Sequence, residues 1–196
     1  MKVMVRSNKN KVLIISAPSG AGKSTLVNHL IKSGLPLAFS VSATSRKPRA
    51  HEVNGRDYYF IRTAEFKRKI KAGEFIEWQE VYQNHYYGTL KKEIERIINE
   101  GMIPLFDVDV QGGINLKKIF GGSALSIFIM PPSVEELRAR LIKRGTETPE
   151  DITMRVEKAF SEILLADSFD RVIINDDLGR ASGEISAVIR EFIRKR

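Results

Sequence analysis

The sequence predicts an α/β fold in which helices cover both faces of a parallel central sheet. Short apolar runs rich in β-branched residues recur along the chain, and amphipathic helical patterns separate them. Glycines and capping residues stand at several of the borders. Strands that alternate with helices in this way are typical of parallel sheets that are buried on both sides.

Four apolar runs are interpreted as strands of this sheet. The first, KVLIIS, is bounded by polar residues and precedes a glycine-rich turn. The second follows Gly101 and ends among acidic residues. Buried parallel strands read as nearly continuous apolar runs, which all four resemble. The runs cover residues 11–16, 103–112, 124–130 and 171–175.

Helical patterns lie between these strands. Residues 24–32 and 90–100 carry apolar side chains at helical spacing. A third helix is expected to begin at Ser133, which forms an S-x-x-E capping box with Glu136. A fourth has Thr148 as its N-cap, followed by proline at the first helical position.

The two C-terminal helices show apolar stripes. The last helix is expected to begin after Gly183. Side chains that recur every three or four residues share one helix face and are expected to face the core. The stripes consist of Ile152, Val156, Phe160 and Ile163 in the first helix, and of Ile185, Val188, Ile189, Phe192 and Ile193 in the second.

The stretch from residue 39 to residue 87 breaks this alternation. It is rich in arginine, tyrosine and turn-forming residues, and Asn54-Gly55 is a strong turn signal. The runs DYYFI and EFIEWQEVY are interpreted as strands. We therefore expect a small, partly antiparallel β insertion.

Composition narrows the class of protein. The 196 residues include 42% hydrophobic and 29% charged residues, which is ordinary for a globular chain. The absence of cysteine excludes disulfides and thiolate metal sites. The N-terminal apolar run is too short for a signal peptide, so we expect a soluble cytoplasmic protein. The net charge of +8 indicates an anionic partner, either nucleic acid or a phosphorylated ligand, or a solvated surface.

The glycine-rich turn carries the clearest chemical signal. The sequence APSGAGKS stands between the first strand and the first helix, as a P-loop requires. Gly20 and Gly22 allow backbone N–H groups to point at phosphate oxygens, and the helix N-terminus adds positive potential. Lys23 would reach the β- and γ-phosphates, and the Ser24 hydroxyl would bind Mg²⁺. The loop predicts binding of a nucleoside triphosphate such as ATP.

One position departs from the usual P-loop pattern. Ala17 stands where that pattern has glycine, which a negative φ would tolerate. We expect the whole loop and the residue after it to contact ATP. These residues are Ala17, Pro18, Ser19, Gly20, Ala21, Gly22, Lys23, Ser24 and Thr25.

Basic and aromatic residues in the insertion suggest a second phosphate site. Arg46 and Arg49 stand three apart, and two guanidinium groups can grip a phosphate monoester through charge-assisted hydrogen bonds. Tyr58 and Tyr87 could add phenolic donors. A solvated basic loop is the alternative. A nucleic-acid patch is disfavoured because Lys and Arg are spread along the chain.

Two aspartates stand at the end of the second strand. Asp107 and Asp109 are two apart on what we take as one strand, so both would project to the same face. They would lie at the carboxyl ends of the strands, where ligands bind in open α/β sheets. One would support Mg²⁺ and the other the acceptor, and the sequence does not assign which. A structural role in accepting loop N–H groups is the alternative for either.

The chain resembles the guanylate kinase family across residues 11–193. The resemblance rests on APSGAGKST, SRKPRAHEVNGRDYYF, EFIEW, HYYGT, DVDVQG, RGTET and INDDL, in this order. It implies one domain with the three-layer P-loop NTPase fold. Its core would comprise residues 1–38, 90–132 and 167–196, its GMP-binding insertion residues 39–89, and its helical lid residues 133–166.

The resemblance also implies roles for individual residues. The GMP phosphate would be held by Arg46, Arg49, Tyr58 and Tyr87, and guanine by Ser42, Glu77 and Thr89, with Asp107 and Asp109 also on the GMP side. The chemistry of Glu77 supports its assignment, because a carboxylate can accept from N1–H and N2–H₂ of guanine side by side. The alternative for Glu77 is a surface carboxylate on a strand.

The lid would supply catalytic cations. Arg140, Arg144 and Arg155 would neutralise charge on the transferred phosphoryl group together with Lys23. An exposed helix with ion pairs, such as Glu136 with Arg140, is the alternative. Asn175 resembles the position that approaches the adenine of ATP.

The implied reaction is GMP + ATP = GDP + ADP with Mg²⁺, in purine nucleotide recycling. GMP and ATP would be the partners, without nucleic acid or membrane, and the oligomeric state is left open. One alternative is a kinase acting on a ribose bisphosphate. The other is a non-catalytic guanylate-kinase-like binding module, which the intact Lys23 and Ser24 disfavour.

Overall fold

The computed structural model describes residues 11–145 and 148–195. Strands and helices alternate through most of this part of the chain, as predicted. The strands are β1 Val12–Ser16, β2 Leu37–Phe39, β3 Ala43–Thr44, β4 Tyr59–Phe60, β5 Phe75–Tyr82, β6 His85–Leu90, β7 Ile103–Val108, β8 Ala124–Met130 and β9 Arg171–Ile174. The helices are α1 Lys23–Lys32, α2 Thr63–Lys71, α3 Lys91–Asn99, α4 Val110–Phe120, α5 Val134–Arg144, α6 Pro149–Ile163 and α7 Leu178–Arg194.

The five-stranded sheet has the order β2-β7-β1-β8-β9. β1 pairs in parallel with β7 on one side and β8 on the other, and β9 pairs in parallel with β8. All five residues of β1 are buried, so both faces of the sheet are covered at its centre. Helix α4 packs on β1 and β8, and α1 packs on α7. The predicted parallel α/β architecture is therefore confirmed.

The chain divides into two compact units. The first runs through Leu37 and resumes at Leu105, and the second is Ala38–Pro104. The second unit contains a four-stranded sheet of order β4-β3-β6-β5, with both parallel and antiparallel pairs. Phe66 of α2 stacks on Phe75 of β5 with ring centroids 4.3 Å apart, which forms its small core. The predicted mixed β insertion is confirmed, and α2 adds a helix that we did not predict.

Several helix borders differ from the prediction. Helix α7 begins at Leu178, six residues before the expected start after Gly183, because Asp177 accepts from the N–H of Arg180 as an N-cap. Ser133 caps α5 as expected, but the Glu136 carboxylate accepts from Arg140 instead. Thr148 forms a reciprocal capping box in α6.

The predicted stripe of α6 is partly wrong. Phe160 is 60% exposed, whereas Ala159 is fully buried and packs beside Ile152. Ile152, Val156 and Ile163 pack against buried residues as predicted, so only Phe160 departs from the stripe. None of the helices in the described part of the chain combines the length and apolarity that a bilayer crossing requires.

Candidate functional site

The loop between β1 and α1 has the backbone of a phosphate-binding turn. Gly20 and Gly22 both have φ of 91°, in the left-handed region that favours glycine. The N–H of Ala21 donates to the carbonyl of Pro18 at 3.1 Å and closes the turn. The N-cap of α1 is Gly22, so free N–H groups of the first helical turn open into the loop. The backbone geometry that the P-loop sequence predicts is therefore present, and its contact with phosphate stays a prediction.

Ala17 fits this loop. It is buried, and among the described non-glycine residues a positive φ occurs at Asn84 alone. The expected condition for a methyl group at this position is therefore met, and the departure from the usual pattern leaves the loop intact.

Lys23 lies at the carboxyl end of β7. Its ammonium donates to the carbonyl of Val108 at 2.7 Å and pairs with the carboxylate of Asp107. Two strands that are neighbours in the sheet thus bring the loop lysine and an aspartate together. The Lys23 ammonium carries three donors, so it can also donate a hydrogen bond to a phosphate oxygen.

The expectation that Asp107 and Asp109 share a strand is wrong. β7 ends at Val108, and Asp109 is the N-cap of α4, where its Oδ1 accepts from the N–H of Gly112 at 2.7 Å. The Ser16 hydroxyl donates to the carbonyl of Asp109 at 3.1 Å. Asp109 thus makes the N–H contact that the alternative interpretation expected, and its predicted role toward Mg²⁺ or the acceptor stays a prediction. Both aspartates belong to the unit that carries the P-loop.

Asn175 holds the loop from the end of β9. Its Nδ2 donates to the carbonyl of Ala21 at 2.7 Å, and the side chain is buried. A Cβ on Gly22 would collide with this amide. The carbonyl of Asn175 accepts from Arg140 at 3.0 Å. The structure gives Asn175 a contact with the loop, and its expected approach to adenine stays a prediction.

The predicted lid arginines surround the P-loop. Arg155 of α6 donates to the Ser19 hydroxyl at 2.7 Å, and Arg140 contacts both Glu136 and Asn175. They enclose a cleft of about 680 Å³. Its lining comprises Ala17, Pro18, Ser19, Gly20, Gly22, Lys23, Ser24, Thr25, Asp109, Arg140, Leu141, Arg144, Arg155, Lys158 and Glu162. The structure therefore brings the predicted catalytic side chains and most of the predicted ATP-binding residues to one cleft, whose lining does not include Ala21 or Asn175.

Lys158 and Glu162 were not predicted to line this cleft. Together with Arg155 they stand at positions i, i+3 and i+7 of α6, which share one helix face. The same spacing is visible in the sequence, where it could have placed Lys158 and Glu162 on the helix face of Arg155.

In the second unit, Arg46 is held from three sides. Its Nε donates to the Tyr87 hydroxyl at 3.0 Å, and its two Nη atoms donate to the Glu52 carboxylate at 2.6 Å each. Its guanidinium lies over the Tyr58 ring, 5.1 Å from the centroid. Arg46, Tyr58 and Tyr87 thus form the cluster that was expected.

Glu52 is a residue of this cluster that was not predicted. Its Oε2 also accepts from the backbone N–H of Arg49 at 2.7 Å, so it links the loop positions of both arginines. The hydrogen bonds from Arg46, and then from the Arg49 N–H, lower the pKa of Glu52 from 4.5 to about 2. Glu52 raises the pKa of Arg46 in turn. Glu52 stands three residues after Arg49 in the sequence, and this spacing is the feature that could have indicated its contact with the arginine loop.

The expected guanine-reading pair lies on adjacent strands. Glu77 of β5 and Thr89 of β6 are cross-strand partners, and the Thr89 hydroxyl donates to Glu77 Oε1 at 2.8 Å. Thr89 is fully buried, which fixes the orientation of the carboxylate. Ser42 accepts through its carbonyl from the N–H of Tyr59 at 2.9 Å. The side chain of Arg49 is exposed, whereas that of Arg46 is partly buried.

The first strand of the parallel sheet leads through this loop to Lys23 at the start of a helix. This arrangement defines the class of P-loop nucleotide-binding proteins. The insertion with its arginine and tyrosine cluster distinguishes the chain within that class. The family model described as guanylate kinase matches residues 9–192. The chain belongs to the guanylate kinase family.

Individual relatives agree with this assignment. The chain is 51% identical to a guanylate kinase of Bacteroides thetaiotaomicron, over 97% of this chain and 94% of the relative. It is 54% identical to one of Porphyromonas gingivalis, over 94% of this chain and 99% of the relative. The crystal structure of guanylate kinase from Anaplasma phagocytophilum is 33% identical, with a TM-score of 0.75 and coverage of 96% and 89%.

Proposed function

We propose that this enzyme transfers the γ-phosphoryl group of ATP to the phosphate of GMP, giving ADP and GDP. The observation that carries the proposal is the intact P-loop with Lys23 and the arginines around it, in a chain that belongs to the guanylate kinase family. We assign residues 39–89 as the GMP-binding insertion and residues 133–166 as the lid. The enzyme would act on small nucleotides in cytoplasmic purine recycling, and not on nucleic acid or at a membrane.

The donor half of the reaction follows from the cleft. Loop N–H groups and the α1 N-terminus would bind the β-phosphate, and Lys23 would bridge the β- and γ-phosphates. Arg140, Arg144 and Arg155 line the same cleft and would offset charge on the transferred group. Because phosphoryl transfer of this kind is direct, no nucleophilic side chain is required.

The residues fit a magnesium ion that is held mainly by the nucleotide. Mg²⁺ prefers oxygen ligands, and Ser24, whose side chain ends in a hydroxyl, lines the cleft. Asp107 is a second candidate, although its carboxylate is paired with Lys23. No group of three His, Cys, Asp or Glu side chains suited to a metal ion occurs in the described ranges. When bound, the ion would neutralise charge on the β- and γ-phosphate oxygens.

The acceptor half follows from the second unit. Arg46, Arg49, Tyr58 and Tyr87 would hold the GMP phosphate, because guanidinium and phenol donors suit a phosphate dianion. The Glu77 carboxylate, oriented by Thr89, would accept from the two adjacent donors of guanine. Adenine lacks that pair of donors, so this arrangement would select GMP over AMP.

The test is an acceptor screen with purified protein and MgATP, reading ADP formation. GMP is expected to be phosphorylated faster than AMP, CMP, UMP or ribose 1,5-bisphosphate. Faster turnover of the ribose bisphosphate would replace the proposal with the sugar kinase alternative. Absence of ADP release with every acceptor, together with tight GMP binding, would favour a binding module.

A further inference from the structure

Helix α6 presents a second cation to the donor cleft besides Arg155. Arg155, Lys158 and Glu162 stand on one face of the helix and all line the cleft around the P-loop. Arg155 reaches the Ser19 hydroxyl at 2.7 Å, which places this face directly against the loop. Lys158 follows one turn later on the same face. Neither Lys158 nor Glu162 has a role in the phosphoryl transfer proposed above.

The ion pair between these two residues is asymmetric. The Lys158 ammonium lies 3.4 Å from Glu162 Oε1, yet the Lys158 side chain is 67% exposed and the Glu162 side chain only 12%. An ordinary surface pair leaves both partners in water. Here the carboxylate is enclosed, while the ammonium stays open to the cleft.

The surroundings of Glu162 connect it to the reacting end of the cleft. Burial raises its pKa, and the nearby Lys158 opposes that effect. Asp109 raises the pKa further and Lys23 lowers it, so both the α4 cap and the P-loop lysine lie within electrostatic reach. A carboxylate in this position needs a cation beside it, and Lys158 provides that cation.

We propose that Lys158 is a further phosphate-contacting residue of the ATP site and that Glu162 is the positioning residue that directs it. An ammonium has three donors, and a pair with Glu162 occupies one of them. The others remain available for a phosphate oxygen of ATP. This inference rests on the proposed function in that it takes ATP as the donor nucleotide.

Lys143 and Glu157 provide matched controls. Lys143 is an exposed lysine of α5 outside the cleft lining, and Glu157 is an exposed glutamate of α6, next to Lys158 in the sequence. Neither lines the cleft, so Lys143→Met and Glu157→Gln remove the same charges without altering the proposed contact.

The experiment measures the Kd of ATP by calorimetry and, separately, kcat and the KM values for ATP and GMP. We expect Lys158→Met to raise the Kd and KM of ATP roughly threefold to tenfold, the range of one partly exposed charge-assisted contact. The KM of GMP and the melting temperature should stay near those of the unchanged enzyme. Lys158→Arg should restore most of the ATP affinity.

The role of Glu162 is tested by a double-mutant cycle. Glu162→Gln should raise the Kd and KM of ATP when Lys158 is present and have no further effect on them in the Lys158→Met background. An ATP Kd in Lys158→Met within twofold of the Lys143→Met control would overturn the phosphate contact. An equal effect of Glu162→Gln in both backgrounds would overturn the positioning role.

The calorimetric measurement separates this inference from the proposed function. If the unchanged enzyme binds ATP but does not phosphorylate GMP, the proposed acceptor is wrong, while the comparison of ATP Kd values still decides the role of Lys158. If it does not bind ATP, both are wrong.

Discussion

Asn175 at the end of β9 donates to the carbonyl of Ala21 in the P-loop, with 2.7 Å between Nδ2 and the oxygen. The loop is therefore tied to a strand that is more than 150 residues away in the sequence. The carbonyl of Asn175 accepts from Arg140, so a lid arginine is joined to the same point. The shape of the phosphate cradle thus depends on an amide that does not belong to the P-loop motif.

Replacing the Asn175 amide with a carboxylate should damage the loop. In Asn175→Asp the donor becomes an acceptor that faces the Ala21 carbonyl, in a buried position. An opposed, buried acceptor pair costs about 1–3 kcal/mol. We expect a lower melting temperature and a higher KM for ATP, measured by calorimetry and steady-state kinetics. Asn28→Asp on the exposed side of α1 is the control, and equal effects of the two changes would contradict the assigned role.

Gly22→Ala should impair ATP binding more than Gly34→Ala, a substitution that introduces similar backbone strain without a steric clash. Gly22 has φ of 91°, and an added Cβ would collide with the Asn175 amide. Gly34 has φ of 75°, but nothing lies within 4 Å of an added Cβ. Both changes place alanine in the left-handed region at about 1–2 kcal/mol. Only Gly22→Ala should also raise the Kd of ATP, as measured by titration calorimetry. Similar ATP affinities of Gly22→Ala and Gly34→Ala would argue against a steric clash with Asn175.

The sequence predicted the sheet better than the helices that contain glycine. Strands β1, β8 and β9 lie within a residue of their expected bounds, because buried parallel strands are continuous apolar runs. The apolar run from residue 103 to residue 112 predicts a strand, but its last three residues, 110–112, form the start of helix α4, in which Gly112 and Gly113 lower the intrinsic helix propensity. Gly113 is needed there because a Cβ would collide with the Ser16 hydroxyl. Such a requirement comes from tertiary packing and is not visible in a local pattern.

Within the candidate site, the sequence motifs predicted residues that are expected to contact substrate. They did not predict Glu52, which positions one of those residues. Arg46 and Glu77 stand in motifs with clear chemistry, whereas Glu52 acts through contacts that the fold creates. The placement of Asp109 on a strand was wrong because the end of β7 could not be placed to one residue, and its predicted role in the site stays a prediction. A shift of one position turned a strand carboxylate into a helix cap.

Lys23→Met should abolish most turnover while leaving the affinity for GMP unchanged. The lysine lines the cleft proposed to bind ATP, and removing one preorganised charge from a phosphoryl-transfer site lowers kcat by about 10²–10³. Kinetics with saturating MgATP and equilibrium titration of GMP would measure the two effects separately. Lys32→Met, at the exposed end of α1, should behave like the unchanged enzyme. A kcat within twofold of normal in Lys23→Met would remove its catalytic role.

Glu77→Gln should reduce the preference for GMP. The amide nitrogen would present a donor to the donors of guanine, and the bond from Thr89 would have to rearrange. We expect kcat/KM for GMP to fall, by an amount equivalent to a loss of up to a few kcal/mol in transition-state stabilisation. The kcat/KM for AMP should change little. Glu95→Gln, on the exposed face of α3, is the control. Unchanged GMP affinity in Glu77→Gln would exclude Glu77 from guanine recognition.

Glu52 should contribute stability that depends on pH. Its pKa is lowered to about 2 in the folded chain by Arg46 and the Arg49 N–H, against an ordinary value of 4.5. A carboxyl group with a depressed folded pKa stabilises the fold fully above the unfolded pKa, and that contribution is lost as the pH falls toward the folded pKa. The stabilisation should therefore be constant from neutral pH down to about 5 and decline between about 4.5 and 2.

Comparison of the unchanged enzyme with Glu52→Gln isolates this contribution from general acid denaturation. The difference in melting temperature between the two proteins should be largest at pH 6–7 and smaller at pH 3.5, because only the unchanged enzyme loses a charge there. Glu52→Gln should also raise the KM of GMP, since Arg46 and the loop position of Arg49 are both held by this carboxylate. A melting difference that stays constant from pH 7 to pH 3.5 would show that the ion pair with Arg46 does not stabilise the second unit in solution.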